Sequence, residues 1–159
     1  MLEVTDDGLI STLAKWMVNQ LAALQHENKT VFASVELYRH QIGPTESGLE
    51  KIEKSPIAYI DYMDDSAARE GGYSLREVPE IDILIIVKSK ENGVAKWGDA
   101  THLGISKIRD LIITLFDKKR PDDIEIDCDE FYYTGSVLTI SMPKLAGIQM
   151  RYEVSRLNN

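Results

Sequence analysis

The densest group of side chains able to do chemistry lies late in the chain, where Asp122, Asp123, Glu125, Asp127, Asp129 and Glu130 crowd into nine positions. Clustered carboxylates supply the hard oxygen ligands that Ca²⁺ and Mg²⁺ prefer. The spacing of a twelve-residue calcium loop is missing, however. Glu125, Asp127 and Asp129 alternate with Ile124, Ile126 and Cys128, the pattern of a strand with one face in water and one on a core. The pattern therefore favours a solvated strand face and no metal. A small divalent-metal-dependent hydrolase built on residues 122–130 is the competing reading.

Other chemistry is harder to assemble. His26, His40 and His102 are scattered, without the i, i+4 pairing of a helical zinc site, and His26 falls near the end of the first expected helix, where an imidazole suits the helix dipole. No Gly-x-Ser-x-Gly elbow occurs. Gly93, Gly98 and Gly104 do not form a phosphate-cradling loop. Trp16, Trp97, Tyr132 and Tyr133 could stack on bases, but no basic residues interleave with them, so core packing or protein contact is the expected use. These readings predict no catalytic set, no cofactor and no metal, and a protein that is not an enzyme.

Bulk properties point the same way. The 159 residues are 43% apolar and 28% charged, an ordinary globular balance, which predicts one domain able to bury roughly two-thirds of its unfolded surface. A net charge of −8 opposes a role in gripping phosphates, so no sequence-specific nucleic acid is expected. The longest apolar run, Ile83 to Val87, is strand-sized and predicts no membrane span. Met1 to Gly8 has three acids and no base, the wrong charge for a secretory signal, and Cys128 is the lone cysteine. A cytoplasmic setting is expected.

The elements that must position any site follow from periodicity. Leu9, Ile10, Leu13, Met17, Leu21 and Leu24 recur at three- and four-residue steps and predict a helix over Asp6 to Gln25. Val31 to Tyr38 reads as a strand, Thr45 to Lys54 as a short helix broken by Gly48, and Pro56 to Tyr62 as a strand covered on both faces. Leu75 to Val87, strongest over Ile81 to Val87, reads as a long central strand. A second helix is expected over Asp99 to Lys118, with Ile105, Ile108, Ile112, Leu115 and Phe116 on one face. Strands over Ile124 to Cys128, Phe131 to Met142 and Gly147 to Arg156 close the chain, with a turn at Pro143 to Gly147. The result is an α+β fold, a mixed and largely antiparallel sheet packed against two main helices.

Two segments break the apolar pattern. Asp64 to Gly72 carries Asp64, Asp65, Arg69 and the Gly71-Gly72 pair, followed by Tyr73; Lys88 to Gly98 carries Lys90, Asn92, Gly93 and Trp97. Both read as mobile loops projecting from opposite ends of the long strand, and their ten named residues are the expected partner contacts.

Taken in order, these elements resemble the Mu-type phage tail-protein family, whose fold is related to that of the lambda tail terminator. The resemblance is carried by the acid-capped first helix, Pro56-Ile-Ala-Tyr-Ile, and the strand ending near Val87. It continues through the helix entered by Gly98-Asp99-Ala100 with Leu103, Ile108 and Leu111-Ile112, and the closing Gly135-Ser136-Val137-Leu138 to Gly147-Ile148-Gln149-Met150-Arg151-Tyr152-Glu153-Val154. It covers nearly the whole chain, least well over Val31 to Lys54. It implies a homo-oligomer, usually a ring of six, that closes the head-proximal end of the tail tube. The implied partners are the tail tube protein and head-completion proteins, met in the cytoplasm of the bacterial host and retained in the virion tail, of phage or prophage origin.

Overall fold

The structure is a computed structural model that describes residues 8–39, 53–70, 74–121, 128–154 and 156–158. The expected helix from Thr45 to Lys54 and most of the expected strand at Ile124 to Cys128 lie outside these residues.

The first apolar stripe forms α1, Gly8–Ala22, and buries Leu13, Met17 and Leu21 completely. Each such side chain removed from water contributes about 1.5–3 kcal/mol. A tight hairpin follows: β1 (Gln25–His26) and β2 (Lys29–Thr30) are joined by Glu27 and Asn28, both with positive φ, at 51° and 67°. Two left-handed residues give the turn the twist that a two-residue hairpin requires. His26 thus sits in a strand beyond the helix and not at its dipole, contrary to expectation, because Ala22 is the last helical residue.

The main sheet contains β3 (Ser34–Leu37), β4 (Ile57–Glu70), β5 (Ser74–Lys88), β6 (Tyr132–Met142) and β7 (Leu145–Glu153) in the order β3-β4-β5-β7-β6, with β8 (Arg156–Asn158) added to β5. Only β3 and β4 are parallel; every other pairing is antiparallel. The α+β architecture, a mixed and mostly antiparallel sheet against two main helices, is as the periodicity predicts. β5 is central, as its two-sided apolar run requires. Its Ile81, Ile83, Ile85 and Val87 join the cluster under the helices, while Ile86 joins a smaller cluster with Ile57, Tyr59 and Leu145.

A short helix α2 (Val94–Trp97) leads to α3 (Ile105–Phe116), which buries Ile105, Ile108, Ile112 and Phe116. An aromatic seam ties α1, α3 and the sheet together. Trp16 stacks on Phe131, with ring planes 5° apart and centroids 5.6 Å apart, and Phe116 meets Tyr152 edge-on at 5.8 Å. Burial pushes the Tyr152 phenol well above its ordinary pKa, and its hydroxyl donates to the Ile112 carbonyl. Among the described residues, no helix is long and apolar enough to cross a membrane.

Three expected boundaries are corrected. Residues 64–70 are strand and not loop: β4 and β5 stay paired from Asp64↔Glu80 to Glu70↔Ser74, past a bulge between Tyr62 and Asp64. Main-chain pairing needs no apolar alternation, so a strand can run through a stretch whose composition reads as a turn. The second main helix begins at Ile105 and not Asp99, because the Asp99 carboxylate turns the chain by accepting the N–H groups of Thr101 and His102 at 2.9 and 2.8 Å. The final strand is two pieces, β7 from Leu145 to Glu153 and then β8, and the turn before it shortens to Pro143 and Lys144.

Candidate functional site

The segment after β5 is organised by long-range hydrogen bonds. Ser89 N–H donates to the Lys144 carbonyl at 2.8 Å and Gly93 N–H to that of Pro143 at 2.7 Å, which fastens the connection to the β6–β7 turn. Gly93 then enters α2 with φ of 80°, a left-handed angle open to glycine. Trp97 N–H returns to the Gly93 carbonyl at 3.0 Å and Gly98 N–H to that of Val94 at 2.8 Å.

The junction between α2 and α3 is a contact of two glycines. A Cβ on Gly104 would stand 2.3 Å from the Gly98 nitrogen, so only glycine lets the backbones approach this closely. Ser106 Oγ adds a bond to the Lys96 carbonyl at 3.2 Å. On this platform Trp97 is 70% exposed, with Lys96 Nζ 5.3 Å from its ring centroid. A large indole displayed by a braced turn, partly shielded by a cation, has the character of a contact anchor. Lys90 and Asn92, earlier in the same segment, are exposed. The expected loop holds the short helix α2, and it is tied to Pro143 and Lys144, about fifty positions downstream.

Asp99, Thr101 and His102 lie next along the chain and invite comparison with a catalytic triad. The geometry rejects it. Asp99 Oδ1 lies 3.0 Å and Thr101 Oγ1 2.9 Å from the same His102 nitrogen, Nδ1. A triad needs the acid on one ring nitrogen and the nucleophile on the other. The turn does shift the acid: the Thr101 N–H, the His102 side chain and then the His102 N–H lower the Asp99 pKa to about 2. A cleft of ≈ 760 Å³ runs from this turn to the β1–β2 hairpin, bordered by His26, Lys29, Lys88, Lys90, Asp99 and His102. Its size suits a small ligand, but Asp99 and His102 stand largely in solvent.

The chain matches no known family model and no curated protein. Function must be read from these surfaces.

The two expected contact groups remain apart. Asp64, Asp65 and Arg69 pair with Glu80, Pro79 and Leu75 toward the start of β5, whereas Lys90, Asn92, Gly93 and Trp97 follow its end at Lys88. Gly71, Gly72 and Tyr73 lie outside the described residues, as does most of the acidic cluster, residues 122–127. Of that cluster, Asp129 and Glu130 are exposed. Lys118 N–H donates to the Phe131 carbonyl at 2.7 Å and Phe131 N–H to that of Lys119 at 2.8 Å, which fastens the end of α3 to the start of β6. Among the described residues, no group of three or more His, Cys, Asp or Glu could hold a metal.

Sequence reasoning missed a buried polar network on the sheet face away from the helices. Asp82, 2% exposed, accepts from Arg151 Nε at 3.0 Å and Nη2 at 3.3 Å and from the Gln149 amide, while Glu80 stands 3.6 Å from Arg151 Nη1. The signal was present: a lone acid inside Ile81-Asp-Ile-Leu-Ile-Ile must find a partner on a neighbouring strand.

Proposed function

We propose that this chain is a structural tail subunit of a phage or prophage, a terminator or completion protein that forms a ring at the head-proximal end of the tail tube. The observation that carries the reading is the arm. β4 and β5 remain paired over residues 64–70 and 74–80, past the end of β7, whose pairing with β5 stops at Glu80↔Glu153, with the three-residue β8 alongside β5 from Leu75 to Glu77. Seven residue pairs extend about 23 Å. An extension of the sheet that narrow, two strands widened to three by the short β8, serves best when it lies on a neighbouring molecule. Trp97, displayed from the opposite end of β5, gives a second and different surface. Two unlike surfaces on one subunit are what a head-to-tail ring needs.

On this reading the partners are further copies of the chain, six in the family's usual ring, with the tail tube protein below and head-completion proteins above. Assembly takes place in the bacterial cytoplasm. The order of elements, from the first helix through the long central strand to the closing hairpin, supports the same reading through its resemblance to the Mu-type tail proteins. The test is electron microscopy of tails made with and without this chain. Tails with it should end in a ring at a uniform length, and tails lacking it should vary in length. Uniform, head-competent tails in its absence would overturn the proposal.

A further inference from the structure

Among the described residues, the strand β6 stands at one end of the main sheet with β7 as its single neighbour, and the other side of its main chain pairs with no strand. The two ends of the sheet are treated differently by the sequence. β3 at the other end is four residues long and carries Glu36, and a short charged edge discourages unwanted pairing. β6 is eleven residues long. From Phe131 to Pro143 no side chain is charged, in a protein where 28% of residues are. A stretch of that length would ordinarily hold three or four charges, so this edge lacks the lysines and acids that guard most others.

Exposure agrees. Val137 is 65% and Leu138 42% exposed, and Tyr132 is 47% exposed at the strand's start. The Asp117 carboxylate covers the first part of the edge by accepting Tyr133 N–H at 3.0 Å. Beyond it, among the described residues, the main chain of 134–142 bonds only to β7. Bulges between Tyr133 and Gly135 and between Leu138 and Ile140 leave a regular stretch over residues 135–138, which includes both exposed aliphatics. An unpaired row of N–H and C=O groups flanked by apolar side chains is a template for one more strand.

We propose that β6 is the edge at which two copies of this chain join, the strand of one copy extending the sheet of the other. The occupant follows from charge. Two bodies of net charge −8 repel wherever their acids meet, and an uncharged strand is where they approach at least cost. A basic partner would instead find its attraction on the acidic surfaces elsewhere. The assignment rests on the ring reading for the need that copies touch; β6 against β6 is an isologous contact, so it joins copies two by two and is separate from the unlike surfaces that close the ring.

Sedimentation velocity over a wide concentration range tests it, with wild type, Val137→Lys, Thr139→Lys and a control, Ser11→Lys, on the exposed face of α1. Each variant makes the protein less acidic, which by itself favours association, so a loss can be assigned to the edge. Wild type and Ser11→Lys should associate alike. The two β6 variants should need at least about tenfold higher concentration, with unchanged circular dichroism and melting temperature. Two variants guard against one of them failing to fold. Folded β6 variants that associate like wild type overturn the edge assignment and leave the ring reading standing, because copies still meet through some other surface. A wild type that stays monomeric at every concentration overturns the edge assignment, and the tail images then decide the ring reading separately.

Discussion

Arg151 stands directly opposite Asp82 in the β5–β7 register and grips it with two hydrogen bonds, 3.0 Å from Nε to Oδ1 and 3.3 Å from Nη2 to Oδ2. The carboxylate is almost fully buried while the guanidinium is half open to water. Replacing Arg151 with Met leaves that carboxylate with the Gln149 amide but without its cation. Unfolding in urea should show a loss of about 1–3 kcal/mol, the usual cost of depriving a buried acceptor of its donor. The double change Asp82→Leu with Arg151→Met should recover most of it, since an apolar pair of similar volume needs no counter-charge. A double variant as weak as the single one would show that the pair does more than satisfy itself.

The acid limb of stability should carry a signature of Asp99. Its pKa is lowered from 3.8 to about 2 by hydrogen bonds that favour the charged form. A group whose folded pKa lies below its unfolded value stabilises the fold above the unfolded pKa and loses that contribution as pH falls through the folded one. The difference in melting temperature between wild type and Asp99→Ala should thus be constant above about pH 4 and shrink between about pH 4 and 2. Carboxyl NMR titration of Asp99 should find a midpoint near the lower limit.

The two tryptophans should report separately. Trp16 lies in the aromatic seam, 7% exposed, and Trp97 is 70% exposed. Iodide should quench one component of the fluorescence, red-shifted and absent from Trp97→Phe, and leave the blue-shifted Trp16 component nearly untouched. The Trp97→Phe protein should keep its melting temperature. If Trp97 is a contact in the proposed ring, the quenchable component should diminish on assembly.

Gly104→Ala should be costly for so small a change. The added carbon meets backbone atoms of Gly98 and Trp97 at 2.3 and 2.5 Å, and backbone cannot move aside as a side-chain tip can. A loss of about 1–3 kcal/mol is expected, with α2 and α3 forced apart. Gly93→Ala, where nothing lies within 4 Å, isolates the separate effect of a left-handed φ.

Much of the architecture was legible because burial imposes rhythm. Leu13, Met17 and Leu21 announce α1, and Ile81 to Val87 announces a central strand, since their spacing is set by the core they share. The arm was not legible, because Asp64 to Glu70 is held by main-chain pairing and its composition resembles a turn. The surroundings of Trp97 were half legible. Asn92-Gly93 signals a turn, but the carbonyls of Pro143 and Lys144 that brace it are remote in sequence. Likewise Phe131 to Met142 reads plainly as a strand, while its position at the end of the sheet depends on pairing order, which periodicity does not encode.

The clasp between Phe131 and Lys118–Lys119 has a practical meaning. It brings the two ends of the acidic stretch within a single pair of hydrogen bonds, and Cys128, three residues before Phe131, is already back in the core. Doubling the length of a flexible segment between two points so held costs only about 0.6 kcal/mol in chain entropy. A peptide epitope or a small fluorescent domain spliced between Asp129 and Glu130, both exposed beside the clasp, should be carried without loss of the folded body.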